Sequence, residues 1–174
     1  MRPHTAILAS LATAVQSAAC APEPCTEVHV FLIRGTNEPY PGRSLSVAEA
    51  ICADLDCSWS NVEYPATFQT YCDSASTGVE STTRAVDEYA ERCPESKIVL
   101  SGFSQGGHIV GDVLGGSDTA DWEDCTQPAS NGLDPESLPG KNGMILVLPH
   151  DLDTRCRLTY VPSSRGLYVG FAPT

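Results

Sequence analysis

The feature that most constrains the fold of this chain is a glycine-flanked turn. Residues Gly102-Phe103-Ser104-Gln105-Gly106 match the pattern G-x-S-x-G, in which a serine occupies a sharp turn between a strand and a helix. Ile98–Leu100 has the composition of a short buried strand, and Ile109–Leu114 that of a small-residue helix. This context predicts a nucleophile elbow with Ser104 at its tip. The alternative is a Gly/Ser turn in an ordinary α/β domain.

Apolar periodicity predicts strands alternating with helices along the chain. The predicted strands are 27–33, 62–64, 98–100 and 144–148, and the predicted helices are 45–55, 77–91 and 109–114. Thr77 and Glu80 have the spacing of a capping box at the start of the second helix. Residues 115–142 are rich in Gly, Ser, Asp and Pro and are expected to be a loop. Alternating strands and helices imply βαβ units and a mainly parallel sheet.

The net charge of the chain restricts the kinds of partner that it can bind. The chain has 22 acidic and 10 basic residues and a formal net charge of −12. Such acidity argues against nucleic acid and anionic membrane surfaces as partners, and its simplest role is solubility. The length of 174 residues suits one domain, which would bury roughly 70% of the surface of its unfolded chain.

The N-terminus and the cysteines both indicate secretion. Residues 1–19 combine Arg2, a short apolar stretch at 6–15 and small residues at 17–19, as in a signal peptide. Eight cysteines are typical of a secreted protein stabilised by disulfides, and they allow 105 pairings. A zinc site is not expected because the chain has no C-x-x-C pair. No metal and no cofactor are therefore predicted.

Four stretches resemble the fungal cutinase and acetylxylan esterase family of small secreted serine esterases. They are Cys25–Phe31 with the Arg34-Gly35-Thr36 loop, Tyr64-Pro65-Ala66, Cys93-Pro94 before the 98–100 strand, and the elbow with its glutamine. The resemblance covers residues 25 to 142. It implies an α/β-hydrolase-like three-layer sandwich with a central, mainly parallel sheet and no lid domain, incomplete at the C-terminus.

The resemblance also implies roles for particular residues. Ser104 would be the nucleophile, and the N–H of Gln105 and the N–H and hydroxyl of Thr36 would form the oxyanion hole. Fixed donors of this kind contribute roughly 3–4 kcal/mol each when measured by deletion. A disulfide between Cys25 and Cys93 is implied as well. The substrate would be an ester of a plant cell-wall polymer or cuticle, and the protein would act as a monomer.

The resemblance ends near Gly143. A serine needs a histidine as base and a carboxylate that orients it, and the family places both late in the chain. Here no segment matches those loops. His29 and His108 are expected to be structural. His150 is the late histidine, but its neighbours Asp151 and Asp153 are poorly placed in sequence to orient it.

Two explanations are open for the divergent segment 143–174. It could reflect an unremoved intron or a frameshift in the coding sequence, or a genuine truncated relative that has lost its catalytic pair. The sequence therefore predicts a signal peptide at 1–19, a cutinase-like domain at 20–142 and a divergent segment at 143–174. The predicted function is a secreted serine esterase. The alternative is an inactive secreted relative that binds a polymer or another protein on the same scaffold.

Overall fold

The computed structural model describes residues 24–122 and 125–133, together with the backbone of three strands near the C-terminus. The strands are β1 (Val28–Ile33), β2 (Cys57–Asn61), β3 (Lys97–Gly102), β4 (Ala120–Trp122), β5 (Cys125–Gln127), β6 (Gly143–Leu146), β7 (Arg157–Ser163) and β8 (Gly166–Ala172). The helices are α1 (Leu45–Cys52), α2 (Tyr71–Arg92) and α3 (Gln105–Gly115).

The centre of the fold is a parallel sheet in the order β2-β1-β3. Strand β1 occupies the middle, and all six of its residues are buried. A strand covered on both faces is a near-continuous apolar run, which explains the sequence of β1. The predicted α/β class with a parallel sheet is confirmed.

The two faces of β1 enter two separate cores. Phe31 and Ile33 pack among side chains of α2 and α3. Val30 and Leu32 pack on the opposite face with Ala48 of α1. Because successive side chains of a strand point to opposite faces, this short run joins both layers of helices to the sheet.

The second strand lies earlier than the sequence predicted. The prediction placed it at 62–64, whereas β2 ends at Asn61 and pairs with β1 from Val28↔Cys57 to Leu32↔Asn61. Val62 still donates its backbone N–H to the Leu32 carbonyl at 3.0 Å. The polar sequence of β2 has no apolar pattern because it forms the edge of the sheet and none of its residues is fully buried.

Helix α2 also begins earlier than predicted. The capping box at Thr77 and Glu80 is wrong, because Thr77 lies inside the helix and its hydroxyl donates to the Asp73 carbonyl at 2.8 Å. Tertiary packing stabilises the first turns of the helix, because Cys72 and Ala75 are buried there. Within the described part of the chain, no helix is both long and apolar enough to cross a bilayer.

Residues 115–142, expected to be a loop, contain the antiparallel hairpin of β4 and β5. Residues 134–142 lie outside the described ranges.

The strand predicted at 144–148 is present as β6, at 143–146, and the last two residues of that prediction lie outside the described ranges. Strands β6, β8 and β7 form a sheet in that order, in which β6 and β8 are parallel and β7 and β8 antiparallel.

Three disulfides join the described elements. Cys25 before β1 is bonded to Cys93 at the end of α2, 68 residues later, which is the pairing that the family resemblance implies. Closing a loop of this length contributes about 4 kcal/mol in the chain-entropy model. The other two bonds are Cys52–Cys57 and Cys72–Cys125.

His29 is a buried structural residue in β1. Its ring lies 2.7 Å from the Ser58 hydroxyl and 2.9 Å from that of Ser60, and it stacks on Tyr89 with 4.0 Å between ring centroids. Burial, assisted by the positive charge of Arg92, lowers the pKa of His29 to about 4. The imidazole is therefore neutral near pH 7.

We expect His29 to make stability depend on pH. Its pKa is lower in the folded than in the unfolded chain, so unfolding takes up a proton between about pH 6.5 and 4 and stability falls as pH drops through that window. The loss of unfolding free energy between pH 7 and pH 4.5, measured by urea titration, should be about 2 kcal/mol smaller in His29→Gln than in the wild type. An equal loss in His29→Gln and in the wild type would contradict the assignment.

Candidate active site

Ser104 occupies the turn between β3 and α3 in a strained backbone conformation. Its φ of 54° and ψ of −117° lie where a residue with a side chain is uncommon. The serine is partly exposed, and its side chain does not cap the helix that follows. The hydroxyl thus makes none of the capping hydrogen bonds that a serine at a helix N-terminus normally makes.

Close backbone contacts require glycine at both positions that flank the serine, 102 and 106. A Cβ on Gly102 would lie 2.2 Å from the Gly106 carbonyl oxygen, and a Cβ on Gly106 would lie 2.0 Å from the carbonyl oxygen of Ile33. Neither backbone can accept a side chain there. The strand, the turn and the helix have the geometry of a nucleophile elbow, as the sequence pattern predicted.

The register of the sheet brings the Arg34-Gly35-Thr36 loop to this elbow. Strands β1 and β3 are parallel and end at the same level, with Ile33 opposite Gly102. Phe103 then donates its N–H to the Ile33 carbonyl at 3.1 Å. A Cβ on Gly35 would lie 2.7 Å from the Phe103 ring, so the loop and the elbow are in direct contact.

Hydrogen bonds on both sides of Thr36 fix the loop. Before it, the Gly35 N–H donates to the Glu38 carboxylate at 2.7 Å, and that carboxylate also accepts from Arg43 at 2.6 Å. After it, Asn37, at a φ of 58°, donates to the Ala66 carbonyl at 2.7 Å. The backbone of Thr36 is therefore held from both neighbours.

Buried contacts beneath the loop add to this support. Arg34 donates to the Tyr64 carbonyl at 2.8 Å, and its guanidinium lies 4.2 Å from the centre of the Tyr40 ring. The Tyr64 hydroxyl donates in return to the Arg34 carbonyl. Burial is the main reason why the pKa of Tyr64 is raised, so Tyr64 remains a neutral donor.

Several donors at this site have no partner among the described residues. They are the backbone N–H of Gln105, the N–H and hydroxyl of Thr36, and the hydroxyl of Ser104. The Gln105 N–H belongs to the first turn of α3, where backbone donors and the helix dipole favour a negative charge. The arrangement can supply unpaired N–H groups to an anion next to Ser104.

The side chain of Gln105 has a separate, structural role. It is 1% exposed. Its carbonyl oxygen accepts from the Ser74 hydroxyl at 3.2 Å, and its amide donates to the Thr67 carbonyl at 3.4 Å. The elbow is thereby bonded to the start of α2. Sequence reasoning missed Ser74 because this contact spans 31 residues and no local pattern marks it.

His108 lies one helical turn after Ser104, and both of its ring nitrogens are engaged elsewhere. Nδ1 is 3.1 Å from the Tyr71 hydroxyl and Nε2 is 3.3 Å from the buried Asp112 carboxylate, which also accepts from Gln127 at 2.6 Å. Burial, and secondarily the charge of Asp112, raises the pKa of Tyr71. In this arrangement the imidazole has no nitrogen left for Ser104.

The described residues do not place a histidine next to the serine. His29 is enclosed between its own partners and His108 between Tyr71 and Asp112. His150, with Asp151 and Asp153, lies outside the described residues. No group of three acidic, histidine or cysteine side chains that could hold a metal occurs in the part of the chain that the structure describes.

Comparison with known proteins identifies the family. The sequence model of the Cutinase family matches residues 24–138, and the chain belongs to this family. It is 32% identical to a cutinase of Coprinopsis cinerea over 130 residues, which are 65% of each chain. It is 34% identical to acetylxylan esterase 2 of Talaromyces purpureogenus over 104 residues, which are 54% of this chain and 44% of the esterase. The chain therefore spans less than two thirds of the length of these relatives.

Solved structures agree with the sequence relatives. An acetyl xylan esterase structure superposes with a TM-score of 0.58 and 27% identity, covering 70% of this chain and 63% of the esterase. A catalytic core domain of acetyl xylan esterase from Trichoderma reesei superposes with the same TM-score at 23% identity, covering 71% of this chain and 64% of that chain. The predicted resemblance and the α/β-hydrolase fold are confirmed.

The close contact at Gly106 should make that position intolerant of a side chain. Gly106→Ala would force the Ile33 carbonyl away and should destabilise the protein by about 3 kcal/mol. Gly111→Ala is the matched control in the same helix, because a Cβ there meets nothing within 4 Å. That change should stabilise the protein by up to about 1 kcal/mol. Urea unfolding monitored by circular dichroism measures both, and similar effects at the two positions would contradict the contact.

Proposed function

We propose that this protein is a secreted serine hydrolase that cleaves carboxylic esters of plant polymers through an acyl-enzyme on Ser104. The observation that carries the proposal is the elbow itself: Ser104 at a φ of 54° between two glycines that cannot carry side chains. Membership of the Cutinase family over residues 24–138 supports it. Strain of this kind persists where the surrounding structure enforces it, and it is concentrated at functional sites.

The chemistry has two steps. The Ser104 oxygen attacks the ester carbonyl carbon, its proton passes to a base, and the C–O bond to the alcohol breaks as the alcohol leaves protonated. Water then attacks the acyl-enzyme, releases the carboxylic acid and returns the proton to the serine. In both steps negative charge develops on the carbonyl oxygen. The unpaired N–H of Gln105 and the N–H and hydroxyl of Thr36 are the donors that would stabilise it.

The relatives and the cysteines support the proposed substrate class and location. The relatives are cutinases and acetylxylan esterases, which makes cutin and acetylated xylan the two candidate polymers. Three disulfides and the signal-like residues 1–19 support secretion. The family match at 24–138 falls within the proposed domain of residues 20–142 and supports its limits.

A second function is a binding protein on the same scaffold. This alternative is favoured because the ring nitrogens of both His29 and His108 are hydrogen-bonded to groups other than Ser104. A hydroxyl without a base is a weak nucleophile. The two functions predict different reactivity of Ser104, and this difference can be measured.

Ser104→Ala tests the esterase. The purified wild type should release p-nitrophenol from p-nitrophenyl acetate and butyrate, and the variant should lose at least about 1,000-fold in kcat. Thermal unfolding of the variant verifies that its fold is intact. If the wild type is no faster than Ser104→Ala, the esterase proposal fails.

A phosphonate that labels activated serines separates the alternatives. Mass spectrometry should find the wild type labelled at Ser104 within minutes and the Ser104→Ala variant unlabelled. A wild type that stays unlabelled while correctly folded would favour the binding protein, because the serine would then lack a base.

Substitutions of Thr36 test the proposed oxyanion hole. Thr36→Val removes the hydroxyl but keeps the backbone N–H and the shape of the side chain, and it should lower kcat by about 100-fold. Thr36→Ser keeps the hydroxyl and should retain most of the activity. Initial rates on p-nitrophenyl acetate measure both variants. Equal activity in Thr36→Val and Thr36→Ser would remove the hydroxyl from the mechanism.

A further inference from the structure

Arg43 lies two residues before helix α1, and its backbone is anchored to the start of that helix. Its carbonyl accepts a hydrogen bond from the Ser46 hydroxyl at 3.0 Å. The side chain is 67% exposed, yet its guanidinium contacts both Glu38 and Phe103. A long side chain loses considerable rotamer entropy when it is held at two points, so this arrangement calls for an explanation.

The first contact of Arg43 reaches the loop that carries Thr36. Arg43 Nε donates to Glu38 Oε1 at 2.6 Å, while the other oxygen of the same carboxylate, Oε2, accepts the Gly35 N–H at 2.7 Å. The Glu38 side chain is only 13% exposed. Gly35 directly precedes Thr36, so this carboxylate holds the chain immediately before the Thr36 N–H.

The second contact of Arg43 reaches the elbow. The guanidinium carbon lies 4.2 Å from the centre of the Phe103 ring, within the range of a cation–π interaction, and Phe103 directly precedes Ser104. The same ring packs against Gly35, where a Cβ would lie 2.7 Å from a ring carbon. The Phe103 ring therefore meets both Arg43 and the Thr36 loop.

These contacts form a closed circuit, which we call the Arg43 clamp: Gly35, Glu38, Arg43 and Phe103. The pairing of β1 with β3 fixes the two chains only as far as Ile33 and Gly102. Beyond those residues the loop and the elbow need other restraints. The clamp supplies one, because it joins the residue before Thr36 to the residue before Ser104.

The Arg43–Glu38 pair has a local effect that an ordinary surface ion pair lacks. Exposed pairs contribute little to global stability, and Arg43 is mostly exposed. Without Arg43, however, the largely buried Glu38 carboxylate would keep the Gly35 N–H as its one partner among the described residues. A poorly compensated charge is costly to bury, so the carboxylate would turn toward water and release Gly35. Loss of Arg43 should therefore loosen the loop and leave global stability nearly unchanged.

We propose that Arg43 is a positioning residue that holds the Thr36 loop against the elbow, so that the Thr36 and Gln105 N–H groups keep one fixed separation. A developing oxyanion needs both donors at once, and displacement of one lowers the rate of the chemical step more than it weakens substrate binding. Arg43 acts through Glu38 and Phe103 in this role. The catalytic consequence rests on the proposed function, whereas the effect on the loop is independent of it.

Arg43→Gln measures the catalytic consequence. Initial rates on p-nitrophenyl butyrate should show kcat lowered about tenfold and KM changed less than about twofold. Arg84→Gln is the matched control, because it removes the same charge from an exposed position of α2, and it should leave both constants unchanged. Circular dichroism and thermal unfolding verify that each variant is folded and that Arg43→Gln has nearly the stability of the wild type.

Two further variants separate the contacts of the clamp. Arg43→Lys keeps a positive charge opposite Glu38 but loses the planar stacking on Phe103, so its kcat should lie between those of the wild type and Arg43→Gln. Residues that act as one unit have non-additive effects. The double variant Glu38→Gln/Arg43→Gln should therefore lose no more kcat than the more affected single variant.

Hydrogen exchange measures the loop without catalysis. Gly35 is buried and its N–H is bonded to Glu38, so this amide should be protected in the wild type. In Arg43→Gln it should exchange at least about tenfold faster, because release of the carboxylate opens the loop locally. In Arg84→Gln its exchange should equal that of the wild type. Amide exchange followed by nuclear magnetic resonance gives the rate at this single residue.

Three outcomes would overturn the role of Arg43. The first is unchanged exchange of the Gly35 amide in Arg43→Gln, and the second is an equal kcat in Arg43→Gln and Arg84→Gln. The third is a loss that lies entirely in KM, which would make Arg43 a substrate-binding residue. Failure of the proposed function is a separate result: if the wild type is no faster than Ser104→Ala, Gly35 exchange alone decides whether Arg43 holds the loop.

Discussion

The site depends on one interaction, the parallel pairing of β1 with β3. The ladder runs from Val28↔Lys97 to Ile33↔Gly102, so both strands end at the same level and the loops that follow them start side by side. The same pairing brings the Ile33 carbonyl so close to α3 that only glycine fits at 106. Carboxyl ends of parallel strands are where open α/β sheets place their binding groups. The serine, its neighbouring N–H and the Thr36 loop are consequences of that geometry.

Around this centre the protein has two kinds of polar group with opposite roles. The side chains of Arg34, Glu38 and Gln105 have their hydrogen bonds inside the fold, and they hold the loop and the elbow in place. The second kind is left without partners among the described residues and comprises the N–H of Gln105, the N–H and hydroxyl of Thr36 and the hydroxyl of Ser104. Preorganised, unpaired donors are what stabilisation of a developing charge requires, because nothing has to reorganise during the reaction. The two histidines belong to the first kind, and this is why the base of the reaction is the point on which the two functional proposals differ.

The predictions from sequence succeeded where a local pattern has one structural solution. The apolar run within 27–33 predicted a strand, and it forms β1, which is buried along its whole length. The elbow pattern predicted close backbone contact at Gly102 and Gly106, and both contacts are present. The predictions failed where tertiary packing overrode the local signal. The polar strand β2 forms because it pairs with β1, and α2 begins at Tyr71 because its first turn is packed and bonded through Cys72 and Ser74. The capping box at Thr77 was consistent with the sequence, but that hydroxyl bonds back to Asp73 inside the helix.

The sequence by itself determined the elbow, the parallel α/β class and the family, because each depends on residues close together in the chain or on motifs with few other uses. The tertiary structure alone decided which groups share a surface. Phe68, Tyr71, His108 and Trp122 are spread over 55 positions, and a disulfide, a hairpin and a hydrogen bond between helices bring their rings together. His108 likewise has its role fixed by Tyr71 and Asp112. Contacts across such separations leave no periodicity or spacing in one sequence, and therefore only the folded chain reveals them.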